Sequence, residues 1–73
     1  MIIKLKIKEM REFCGVSINE LSESTGIDRR RLKKIEDQEI EVDKILFIEM
    51  LVIADSLGVS ILSLYETTEI EII

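Results

Sequence analysis

The chain has no proline, no histidine and no tryptophan, a single cysteine and three glycines, and only 4% of its residues are aromatic. Each shortage excludes something. Cys14 has no partner for an internal disulfide, and without histidine there is no Cys/His zinc set, so a stapled secreted scaffold and a small zinc module are both excluded. The missing imidazole also removes the commonest general base near neutral pH and the usual activator of a Ser or Cys nucleophile, which argues against an enzyme. No apolar run approaches the roughly 18 residues that cross a bilayer. The opening MIIKLKIK interleaves lysine with aliphatic residues where a signal peptide needs an unbroken apolar core. The expectation is a soluble cytoplasmic protein with no membrane association, no metal and no cofactor, in which Cys14 is a small packing residue.

What remains is ordinary for a folded protein: 47% apolar and 34% charged residues in a chain of 73. That length gives one domain, 1–73, with no room for a separate catalytic or sensor unit. A core this small supplies little stability by itself, so support from a partner subunit is expected. The net charge of −5 argues at first against nucleic acid. Its distribution argues otherwise: Arg29, Arg30, Arg31, Lys33 and Lys34 put five cations in six residues, whereas 36–43 carries five acids and no base.

Gly15, Gly26 and Gly58 each follow a stretch with helical spacing, where a left-handed cap favours glycine. They divide the chain into a first helix over Lys8 to Cys14, with Ile7, Met10 and Phe13 inward, and a second over Ile18 to Ser24. Ser17 and Glu20 form the S-x-x-E capping box of the second. Asp28 caps a third helix that ends near Asp37 and has Leu32 and Ile35 as its aliphatic anchors. Asp43 is expected to cap a fourth, Lys44 to Leu57, whose apolar residues cover nearly its whole circumference and require burial on more than one side. A short fifth helix runs from Ser60 to about Glu66. At the ends, Ile3, Leu5 and Ile7 alternate with lysines, and Ile70 and Ile72 with Glu69 and Glu71. This period of two predicts strands over about 2–7 and 68–73 that pair as a small ribbon, Lys opposite Glu. The fold class read from the sequence is therefore all-α with five helices, a core over 7–65, and a terminal two-stranded ribbon.

Two short helices joined at a glycine turn, the second rich in Arg and Lys, have the form of a helix-turn-helix. Ser22 is small where the two helices must approach, and Leu21, Ile27, Leu32 and Ile35 supply their shared apolar contacts. With Ile7-Lys8-Glu9-Met10-Arg11, Val16-Ser17 through Glu20-Leu21, Ile27 through Ile35-Glu36, and Ile53-Ala54-Asp55-Ser56-Leu57-Gly58-Val59-Ser60, the chain resembles the phage Cro and repressor type of helix-turn-helix, the xenobiotic response element family. The resemblance implies a sequence-specific DNA-binding regulator, a repressor from a bacterium or phage, with the helix at 28–37 in the major groove. On that reading Asp28, Arg29, Arg30 and Lys33 face base edges, Arg29 reading guanine. Lys34 and Arg31 favour phosphates, and Ser17 and Asn19 lie at a helix N-terminus suited to a further phosphate. It also implies a structural ion pair between Arg11 and Glu36.

In two places the sequence departs from that family. Ile18 stands where the second helix commonly opens with glutamine, and the connector 37–43 is longer than usual and acidic. Ile48, Val52 and Leu62 are apolar where family members are usually polar, and Ile45 lies just before them on the same stripe. The terminal ribbon covers them, they form a homodimer interface, or both hold at once; a dimer would present two recognition helices about 34 Å apart to a palindromic operator. The rival reading is a protein-interaction module of the same fold, antitoxin-like or an antirepressor partner with weak or no DNA binding, in which the acidic loop 36–43 receives a basic protein.

Overall fold

The structure, a computed structural model, describes residues 2–68. Its elements are β1 (Ile2–Leu5), α1 (Ile7–Phe13), α2 (Ile18–Thr25), α3 (Arg29–Glu36), a 3-10 turn at Val42–Lys44, α4 (Phe47–Leu57), a second 3-10 turn at Ile61–Leu64, and β2 (Tyr65–Thr68). The described chain is mostly helical, with one antiparallel two-stranded sheet.

Local side-chain chemistry sets the bounds of the middle helices. The Glu20 N–H donates to Ser17 Oγ at 3.1 Å and the Ser17 N–H to Glu20 Oε1 at 3.0 Å, so the capping box that opens α2 is complete. This hydrogen bonding holds the Glu20 carboxyl below its usual range. Gly26 ends the helix at φ 76°, a left-handed conformation that costs glycine nothing. Asp28 then accepts the Arg30 N–H at 2.8 Å and opens α3. Between them the Ser22 hydroxyl donates to the Ile27 carbonyl at 2.6 Å, so the small residue facing the turn also fastens it.

The core consists of Leu5, Ile7, Leu21, Leu32, Ile35, Met50, Ile53, Ala54, Leu57 and Leu64. Leu32 and Ile35 have no solvent exposure, which fixes the rotation of α3 about its axis. At roughly 1.5–3 kcal/mol for each fully buried aliphatic side chain, these two alone justify the orientation.

Several expectations are corrected. There are four α-helices among the described residues rather than five: after Ser60 the chain makes only a 3-10 turn, because Tyr65 to Thr68 leaves for the sheet. The fourth helix begins at Phe47, not Lys44, and Asp43 does not cap it. Val42–Lys44 is a separate turn, and the Leu46 N–H is satisfied instead by Glu49 Oε1 at 2.9 Å, from within the helix. Nor is α4 buried on more than one side. Met50, Ile53, Ala54 and Leu57 enter the core, while Phe47 is 67% exposed, Ile48 58% and Leu62, beside it in the second turn, 79%. The ribbon as described does not cover Ile48 or Leu62. Ile45 and Val52 are only partly exposed. Phe13 points outward, and Cys14 is exposed rather than packed.

The strands are displaced from their expected bounds. β1 stops at Leu5 because Ile7 already begins α1, and β2 starts three residues before position 68. The register sets Lys4 against Glu66, Ile3 against Thr67 and Leu5 against Tyr65, so one Lys does lie opposite a Glu, though not Glu69 or Glu71. Those two glutamates, with Ile70 and Ile72, lie outside the described residues.

Candidate nucleic-acid interface

The anchors of α3 face inward, so its other side is presented to solvent. Arg29, Arg30, Lys33 and Lys34 are all exposed on that side. With Ile18 and Glu39 the four cations line an open concavity of about 470 Å³. Arg29 Nη1 donates to Asn19 Oδ1 at 3.2 Å, which brings the first turn of α3 to the first turn of α2. Asn19, Arg29, Arg30, Lys33 and Lys34 thus share one region of the surface, while Ser17, at the N-terminus of the same helix as Asn19, is bonded to Glu20 in the capping box. Asp28 is exposed beside them, but its carboxylate is engaged in capping α3. Two helix N-termini and four cations give a surface suited to an extended polyanion.

Arg31 is engaged within the protein. Its guanidinium grips Glu49 of α4 through two hydrogen bonds, Nε to Oε2 at 2.5 Å and Nη2 to Oε1 at 2.8 Å, with a further contact from Nη2 to the Lys44 carbonyl at 3.3 Å. The same donors hold the Glu49 carboxyl below its usual range, outweighing the opposing effect of its burial, and raise the Arg31 pKa. The Arg31–Glu49 pair is close to neutral as a unit, so this guanidinium is less available to a phosphate than the exposed cations, although it lines a concavity with Arg30 and Lys34. Glu49 was not among the residues singled out from sequence, and a Glu 18 residues after an Arg carries no local signal.

Arg11 and Glu36 meet as a second bidentate pair, Nε to Oε2 at 2.6 Å and Nη2 to Oε1 at 3.2 Å. The third nitrogen, Nη1, donates to the Val16 carbonyl at 2.9 Å, so one side chain ties α1 to the α1–α2 connection and to the end of α3. The Glu36 side chain is wholly buried. Its hydrogen bond is the main reason that the Arg11 pKa is raised, against the opposing effect of burial.

The acidic segment is less hostile to an anion than its composition suggests. Glu36 is neutralised by Arg11, and Asp37 lies 3.6 Å from Lys33 one turn back. Glu39, Glu41 and Asp43 remain exposed, and of these Glu39 lines the basic concavity. Glu39 is the residue most placed to oppose a phosphate, and it too was not singled out individually from the sequence.

No protein-family model and no curated protein matches this chain. The geometry therefore carries the functional argument. It leaves a two-helix unit with cations on its outer side, and an apolar strip on α4 well separated from them in sequence. No helix among the described residues is long and apolar enough to cross a membrane.

Proposed function

We propose that this chain is a sequence-specific DNA-binding regulator of the Cro and repressor type, acting as a repressor with α3 in the major groove. One observation carries the reading: α3 is locked by Leu32 and Ile35 on its inner side and presents Arg29, Arg30, Lys33 and Lys34 on its outer side. Arg29, oriented by Asn19, reads a guanine edge, a bidentate contact worth about 1–3 kcal/mol of discrimination. Arg30 and Lys33 lie along the groove, and Lys34 with the N-terminus of α2 near Ser17 meets the phosphate backbone. Two copies joined through the exposed apolar side of α4 would present paired helices to a palindromic operator. No chemistry on a substrate is proposed.

A second reading keeps the fold and gives up the DNA. It is favoured by Glu39 within the basic concavity and by the exposed Phe47, Ile48 and Leu62, which together suit a protein partner.

Selection from a randomised duplex pool at low salt separates the two. The repressor reading expects the wild type to select a palindrome. It also expects Arg29→Ala to relax one position, and Lys34→Ala to weaken all sequences alike while lowering the salt slope by about one. If the folded protein selects nothing, α3 is a protein-binding or merely solvated face.

A further inference from the structure

Ile18 is out of character with its surroundings. It opens α2, packs partly against the core, and turns the rest of its side chain to the same concavity as Arg29, Arg30, Lys33 and Lys34. An aliphatic group among four cations contributes nothing to phosphate binding, and it has neither donor nor acceptor with which to meet a polar base edge. Only one apolar group is displayed in the major groove by the four unmodified base pairs, the 5-methyl of thymine.

We infer that Ile18 makes an apolar contact with the 5-methyl group of a pyrimidine, next to the base that Arg29 reads, so that this surface selects a methyl and a guanine edge side by side. The inference rests on the DNA-binding reading above and adds a specificity residue to it. Arg29 lines the same concavity as Ile18 and donates a hydrogen bond to Asn19, the residue after it, so the two readers are neighbours on the surface. Thymine is the occupant in unmodified DNA, and 5-methylcytosine offers the same group.

The test uses the whole chain and a duplex selected at low salt. Each thymine is replaced in turn by deoxyuridine, which keeps the hydrogen-bonding edge and the phosphate charge and removes only the methyl. One position in each half-site should then bind about three- to fivefold more weakly, the scale of one buried methyl group, with an unchanged salt slope. At that position Ile18→Ala should bind thymine and uracil duplexes equally, whereas Ile18→Val, which keeps most of the packing, should still discriminate. Cytosine there changes the base-pair edge as well as the methyl, so the matched comparison is cytosine against 5-methylcytosine, which should bind more tightly if the methyl is read whatever base carries it. No difference between those two would confine the contact to thymine. Because the uracil series is read on the wild-type protein, it does not depend on a variant that folds. If every uracil duplex binds as tightly as its parent, or if discrimination survives in a DNA-binding Ile18→Ala protein, the inference is overturned and the DNA-binding reading stands. If the folded wild type binds no duplex, both fall.

Discussion

Removing the charge from Arg11 is the perturbation whose magnitude follows most directly from the structure. The Glu36 carboxylate is wholly buried and receives two of its hydrogen bonds from that guanidinium. Arg11→Met keeps most of the stem volume and deletes the donors, so it isolates the charge from the packing. Breaking one side of a buried pair costs about 3–5 kcal/mol, because the other charge is left desolvated and uncompensated. A chain of 73 residues has in total roughly 4–11 kcal/mol of stability. The variant should therefore lose about a quarter or more of its stability, and in the weaker case unfold. In urea followed by far-UV circular dichroism, with a slope of about 1 kcal/mol per molar for so small a protein, the midpoint should fall by about 3–5 M. Replacing both partners, Arg11→Met with Glu36→Leu, should recover most of the loss, since an apolar pair of similar volume is often as stable as the ions. A single-variant cost under about 1 kcal/mol, with an unchanged slope, would refute the claim that Glu36 depends on Arg11 for its charge.

Arg31→Ala should lower the melting temperature by releasing α4 from α3, yet leave the salt slope of DNA binding where it is. A slope reduced as much as in Lys34→Ala would return Arg31 to the phosphate contacts. Because Glu49 has its pKa depressed in the folded state by Arg31, it contributes stability above its usual value of 4.5 and loses it as the pH falls below that. The melting temperature should drop between about pH 5 and about pH 3, more in the wild type than in Glu49→Gln, and parallel curves would count against the pair. Ile48→Glu, on the exposed strip of α4, should shift equilibrium sedimentation towards the monomer mass while leaving the circular dichroism unchanged. An unaltered mass would remove that strip as the contact between copies.

The parts of the fold legible in the sequence are those governed by neighbours a few residues away. The start of α2 was readable because Ser17 and Glu20 satisfy each other across three positions, and its end because Gly26 takes a left-handed turn. The start of α3 was readable from Asp28 in the same way. The beginning of α4 was not. Asp43 alone reads as a cap in the sequence, and only the fold shows that Glu49, reaching back from inside the helix, takes the Leu46 N–H instead. The same limit applies to the basic run. Five cations look equivalent as a string, but the helix rotation set by Leu32 and Ile35 sends Arg31 to a glutamate 18 residues later and the other four outward. Tyr65 to Thr68 illustrates a third kind of failure: helical spacing carried the reading to about Glu66, two residues past the point at which strand pairing with β1 takes over. The pairing of Arg11 with Glu36, by contrast, entered only through family resemblance. Nothing in 25 residues of separation announces it.

One further contact bears on how the molecule survives at high concentration. The Lys6 N–H donates to the Leu64 carbonyl at 2.8 Å, so by the alternation of a strand the Leu5 N–H faces away from β2. Gln38 meets it: the residue adopts φ 56°, unusual outside glycine, and its Oε1 accepts that N–H at 2.9 Å. A two-stranded ribbon has little but edges, and an unoccupied outward donor is a template on which the strand of another molecule can grow. By occupying the donor at Leu5 from a distant part of the chain, Gln38 shortens the free edge of β1 and makes runaway cross-strand assembly harder to start, at the cost of one strained backbone conformation.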